Sequence, residues 1–245
     1  MNWKAIILCG QLGALSAQAQ AFRDLAFEAA NLPPVPSGAL GGYVPISSAM
    51  PGWSGAISGP TGVTQQTEVL QNNFLNGTAT IGILGPDWGQ SDESLFGLYG
   101  LGVIDGSYTV VLESGAYTTG AGYNTSIAEV GTVPANAQSL QFKAWQIFLG
   151  TFSVSFDGND LNVVLLSTGV TPTGQPYEVY GADIAPYASQ TGQLEFAQNY
   201  SISDPKLLLD DIIFSQTAVV PEPSPLLLTG VGGLILATRR RFFRS

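Results

Sequence analysis

Histidine is absent from the 245 residues, and the single cysteine is Cys9. Their scarcity removes Cys- and His-based nucleophile pairs, zinc sites built on His or Cys, and any intramolecular disulfide. Basic charge is almost as scarce. Eight Lys and Arg stand against 18 Asp and Glu, a formal net charge of -10. Between Phe22 and Val220 the only basic residues are Arg23, Lys143 and Lys206. A phosphate backbone needs a basic footprint that this body lacks, so nucleic acid is not an expected partner. Only 11% of the residues are charged, and the Ala/Glu/Lys/Leu-rich blocks that build long helices are missing.

What the chain has instead is 30 Gly and 15 Pro, a balance that suits many short strands joined by tight turns. Seven segments alternate cleanly: Thr78–Leu84, Tyr108–Ser114, Ser139–Trp145, Thr151–Phe156, Leu161–Leu166, Gln193–Gln198 and Leu207–Ser215. In the third, Leu140, Phe142 and Ala144 share one face while Gln141 and Lys143 share the other, the period of a half-buried strand. Asp157-Gly158 is a hairpin turn signal, and Asp183–Gly192 allows one helical turn beginning at Asp183. Asn31–Gly55 reads as a long irregular connection. The expected fold is all-β, one antiparallel β-sandwich over residues 22–217, jelly-roll-like in connectivity.

Both ends differ from this body. The first 21 residues join Lys4, an apolar stretch Ala5–Leu15 and small-x-small sites at Ala17–Ala21, the layout of a secretory signal peptide. At the other end Pro225–Thr238 is apolar; its 14 residues make a helix of about 21 Å against about 30 Å of hydrocarbon core, a marginal transmembrane span. Four of the eight basic residues follow it, as Arg239, Arg240, Arg241 and Arg244, the asymmetry of a stop-transfer end.

Pro221-Glu222-Pro223, the apolar segment and the arginine cluster together resemble the PEP-CTERM sorting signal (residues 218–245) of exported proteins in Gram-negative bacteria that make extracellular polysaccharide. That resemblance implies recognition by a membrane-embedded exosortase that cuts near Pro-Glu-Pro. It also implies a place at the cell envelope or outside the cell. Residues 132–145 and 207–215 look like the bodies often joined to this tag, which carry no known activity.

The last strand sets a second problem. Strict alternation puts Leu208, Asp210, Ile212 and Phe214 on one face and Leu207, Leu209, Asp211 and Ile213 on the other, so each face holds a carboxylate among apolar neighbours. Burying an unpaired carboxylate costs several kcal/mol or forces protonation. Either a hard cation offsets that cost, or one carboxylate caps a backbone bulge while the others are solvated. The opening Phe22–Leu32 segment and this strand together resemble jelly-roll carbohydrate-binding and galactose-binding-like modules, in which an early Phe-Glu and a late Asp-Asp often hold structural calcium. On that resemblance Glu28, Asp210 and Asp211 are candidate Ca2+ ligands.

A glycan would need an aromatic platform. Trp88, in a polar loop beside Asp87 and Gln90, and Trp53 are the candidates, although Trp53 after Gly52 also suits a core anchor. Trp145 falls on the polar parity of its strand. No pair of carboxylates is marked out for glycoside hydrolysis, and the Gly-rich run Gly97–Gly106 lacks the strand–turn–helix setting of a dinucleotide site. The sequence therefore points to an exported, non-enzymatic, structural or adhesive protein of the cell surface or extracellular matrix, with a carbohydrate-binding module as the alternative.

Overall fold

Leu140, Phe142 and Ala144 all point inward from one strand, and that strand lies at the centre of the larger sheet. The computed structural model describes residues 20–36, 41–73, 77–86, 102–116 and 120–219. Their strands are β1 (Tyr43–Pro45), β2 (Ser54–Gly59), β3 (Gly62–Gln66), β4 (Glu68–Gln71), β5 (Thr80–Leu84), β6 (Thr109–Glu113) and β7 (Asn124–Thr132). After them come β8 (Ser139–Ile147), β9 (Phe152–Phe156), β10 (Asn159–Asp160), β11 (Val163–Val170), β12 (Pro176–Asp183), β13 (Thr191–Gln198) and β14 (Lys206–Ser215). Eight strands form one sheet in the order β1-β4-β5-β6-β14-β8-β12-β11, and six form the other in the order β10-β9-β13-β7-β2-β3. All pairings are antiparallel except β4 with β5. The molecule is an all-β sandwich, and from β6 to β9 and again from β12 to β14 the chain passes from one sheet to the other at each step, as jelly-roll-like connectivity requires.

The core fills the space between the sheets. Ile127, Val154, Leu194 and Phe196 of the smaller sheet meet Leu140, Phe142, Leu207 and Leu209 of the larger one. Phe142 lies edge-on to Phe196 at 5.1 Å between centroids, a favoured aromatic geometry. A second, smaller cluster lies on the outer face of the larger sheet, where Leu84, Ile104, Val111, Ile147 and Leu208 are buried. There Val103 and Ile104 fold back over the strands. This explains two departures from simple alternation: β6 is buried at all five positions, and Trp145, on the outward parity, packs against this cluster rather than facing water.

Strict alternation also fails in β14. The register shifts between Asp210 and Ile213, and Asp211 takes φ +46°, the marks of a β-bulge. Ile212 is thereby turned into the main core with Leu207 and Leu209, and Ile213 is 44% exposed. The two-face assignment expected for this strand is correct only up to Asp210. Both amides freed by the bulge find acceptors: Asp211 N–H donates to Asp210 Oδ1 at 2.8 Å, and Ile212 N–H donates to the Leu25 carbonyl at 2.9 Å.

Leu25 belongs to an N-terminal segment that runs across one end of the sandwich without forming a named strand. Thr132 N–H reaches the Gln20 carbonyl at 2.8 Å and Asn31 N–H the Ser48 carbonyl at 2.8 Å. Phe27 is fully buried at φ +58°. A bulky residue there is rare, and its tilted contact with the Trp53 ring at 5.5 Å helps hold it. The stretch expected to be irregular over Asn31–Gly55 holds more order than that, with β1, a single helical turn Ile46–Ala49 and the start of β2. Asp157 (φ +50°) and Gly158 (φ +75°) make the hairpin turn, and a 3-10 turn spans Ala185–Tyr187, with Asp183 Oδ1 accepting from Ala185 N–H at 3.0 Å. Among the described residues no helix is long and apolar enough to cross a membrane.

Candidate functional site

The carboxylates singled out in the sequence meet at one loop, residues 102–108, which leads into β6. Glu28 Oε1 accepts from the amides of Ser107 at 2.8 Å and Tyr108 at 3.1 Å. Glycine at 106 is required for this grip: its φ is +55°, and a Cβ there would lie 2.3 Å from Glu28 Oε1. From the sheet side, Asp210 Oδ2 accepts from Asp105 N–H at 3.0 Å and from Thr109 Oγ1–H at 2.5 Å. Glu28 and Asp210 thus clamp one loop from two directions. Asp210 is fully buried, and burial pushes its carboxyl up to about 7 against the lowering effect of these donors.

Asp211 does not join that clamp. It lies 3.0 Å from Lys143 Nζ, and the same ammonium is bonded to Asp105. Burial works against the Lys143 charge, but its hydrogen bonds to Asp105 and Asp211 outweigh burial and hold its pKa above the ordinary lysine value. Lys143 in turn holds the Asp105 carboxyl below its usual range. Among the described residues no group of three or more His, Cys, Asp or Glu side chains is gathered closely enough to hold a metal ion. Amides hold Glu28 Oε1, amides and a hydroxyl hold Asp210, and one ammonium is shared between Asp105 and Asp211.

Two further buried acid groups carry no mark in the sequence pattern. Glu129 is 2% exposed; its Oε1 accepts from Arg23 N–H at 2.7 Å, while its Oε2 and Asp24 Oδ2 are both buried without a donor. Burial first, then the Asp24 charge, raises Glu129 to about 7 in spite of Arg23. Asp24 is raised by burial and by Glu28. At the opposite end of the strands, Glu113 and Lys206 are both fully buried and 3.0 Å apart. Burial raises Glu113 to about 7 against the pull of Lys206 and of the Gly77 amide, which donates at 2.8 Å. The available signal was the rarity of cations: of the three basic residues in the body, two sit on strands beside a carboxylate-bearing partner strand.

Trp53 is 4% exposed, lies between Phe27 and Phe196 and donates Nε1–H to the Asp24 carbonyl at 3.3 Å. Its faces are taken by the core, and it offers no sugar platform. Trp88 lies outside the described residues, as do Pro221, Glu222, Pro223, Arg239, Arg240 and Arg241 of the sorting motif, together with the expected signal peptide through residue 19.

No family model matches this chain, and no curated protein matches it. Among solved structures, the enzymatically active domain of bacteriophage CBA120 tailspike protein 4 is similar with a TM-score of 0.34 and 12% identity, over 67% of this chain and 19% of that one. A likeness that distant carries no argument about activity.

Proposed function

We propose that this chain is an exported, non-enzymatic protein of the cell surface or extracellular matrix, structural or adhesive, sorted by the PEP-CTERM-like segment at residues 218–245. The observation that carries the reading is that the carboxylates gathered around the 102–108 loop, together with Lys143 and Lys206, are engaged in the framework of the body itself. Glu28 and Asp210 clamp a loop, Lys143 bridges Asp105 and Asp211, and Lys206 neutralises Glu113. A reaction centre requires a nucleophile, or an acid and a base, held free beside an open space; internal latches serve rigidity instead. The acidic balance of the body suits an exported setting.

The test is processing in the native cell. In the wild-type protein, mass spectrometry of the C-terminus should find a cut near Pro221–Pro223, and Glu222→Ala should leave the C-terminal segment attached. Normal cleavage of the Glu222→Ala protein, or recovery of the uncut chain from the cytosol, would remove the sorting assignment.

A further inference from the structure

Four loops meet at the end of the sandwich away from the docked N-terminal segment: residues 58–62, 120–124, 148–151 and 199–203. Direct contacts tie them together. Thr61 Oγ1 and Tyr123 Oη are 3.4 Å apart, and Tyr200 N–H donates to Asn124 Oδ1 at 2.7 Å. The Tyr200 ring is pressed onto Gly122, where a Cβ would lie 2.1 Å from its edge. Ser201 Oγ–H donates to the Leu149 carbonyl at 2.5 Å, and Ser203 Oγ–H donates to the same carbonyl.

In a body this acidic, none of the four loops contains a charged residue. Among the described residues, the carboxylates and ammonium that border them are half-buried Asp204 and the Glu113–Lys206 ion pair beneath. What the loops present is apolar: Ile202 is 94% exposed, Leu149 87% and Phe148 45%. Phe148 holds φ +64°, an arrangement costing about 1–3 kcal/mol for a bulky residue, and its half-exposed ring covers the buried Lys206 ammonium, 5.4 Å from the ring centroid. The serine hydroxyls meanwhile turn inward onto Leu149.

We propose that this uncharged pole is a contact between two copies of the chain. A pairing through a carboxylate-bearing face of this acidic body brings like charges within a Debye length of each other, whereas here the apolar tips of four uncharged loops meet with only Asp204 at their border. A neutral glycan would need outward hydroxyls and amides, which here are largely committed to the loops themselves. An anionic lipid surface would repel this acidic body, and these loops carry no basic side chain to offset that. The Thr132–Gln20 and Ser139–Thr217 contacts place both ends of the described body at the other pole, about 25 Å away along β7, so a pole-to-pole contact leaves them free. The inference deepens the adhesive reading above and rests on it for the cell-surface setting; the contact itself stands on the surface chemistry.

Sedimentation velocity on the full chain, at low and at high sodium chloride in one non-ionic detergent, tests it. The expected result is a concentration-dependent dimer that tightens with salt, because screening relieves repulsion between the bodies while leaving the apolar contact in place. Leu149→Asp with Ile202→Asp should weaken association about tenfold or more at an unchanged melting temperature, and Leu149→Ser with Ile202→Ser should weaken it less. A monomer at every concentration, a dimer indifferent to these substitutions, or one that salt dissolves would overturn the proposal. So would a monomer that binds phosphatidylcholine vesicles or a neutral polysaccharide through Leu149 and Ile202. Fractionation of cells making the Asp variants separates the two readings: correct sorting with lost dimerisation keeps the contact tied to this pole, whereas cytosolic retention of the wild-type chain strikes only the export reading.

Discussion

Lys143 has the part that a divalent cation would have in a cluster of this charge. Its ammonium touches Asp105 and Asp211 and stands beside the loop that Glu28 and Asp210 grip. A single fixed positive charge offsets part of the repulsion among carboxylates crowded around one loop. Both partners are partly solvent-exposed, so the bridges are worth only about 1 kcal/mol. Lys143→Met should therefore lower the melting temperature by about 2–4 °C. The distinguishing outcome is the response to calcium. Millimolar-range calcium should recover much of the loss in the Lys143→Met protein, where Asp105 and Asp211 are left unneutralised, and should leave the wild type unchanged. A wild-type melting curve that drops with chelator would show that Lys143 does not fill this role.

Among the elements, β14 shows best how far the sequence can be read. Six of its ten residues are Leu, Ile or Phe, and that run, like the clean alternation of β8, β9 and β13, makes strand formation plain from composition and period. The bulge is not plain, because it depends on the Leu25 carbonyl arriving from the far end of the chain to take the Ile212 amide. The hairpin β2–β3 and the strand β7 are illegible for a different reason: SGAISG, GVTQQ and NTSIAEVGT are small and polar, and they become strands by pairing with one another and with β13. Likewise Glu28 and Asp210 could be grouped from sequence, but the intervening loop and Lys143 could not, since neither lies near them in the chain. The bulge makes its own prediction. Asn tolerates the left-handed region that Asp211 occupies and β-branched residues do not, so Asp211→Val should cost about 1–3 kcal/mol and Asp211→Asn about 1 kcal/mol or less, the difference measured by urea unfolding. Equal losses for the two would mean that the φ value of +46° places no constraint on this position.

At the scale of the whole molecule, acid residues are distributed so that the folded protein holds protons more tightly than the unfolded chain. Burial lifts Glu113 and Glu129 from an ordinary 4.5 to about 7 and Asp210 from 3.8 to about 7. A group raised on folding contributes stability that is fully present below its unfolded pKa and is lost as pH climbs through its folded one. For these three the loss runs from about pH 4 to about pH 7. Asp105 acts in the opposite sense, its carboxyl being held below 3.8 by Lys143, but its contribution fades only under more acidic conditions than that window. Net negative charge adds to the trend, since self-repulsion of the body grows as carboxylates ionise. The melting temperature should therefore rise as pH is lowered from 8 to about 5, the reverse of a protein stabilised by exposed salt bridges. Glu129→Gln provides the control, because it keeps an oxygen for the Arg23 amide and removes the charge opposite Asp24. Its stability at pH 8 should exceed that of the wild type, and its change between pH 5 and 8 should be shallower. A wild-type melting temperature that is flat, or that rises as pH increases from 5 to 8, would mean that these carboxyls are solvated in the folded protein, and the N-terminal segment that buries Glu129 would then have to be docked less tightly than its hydrogen bonds to β7 and β14 require.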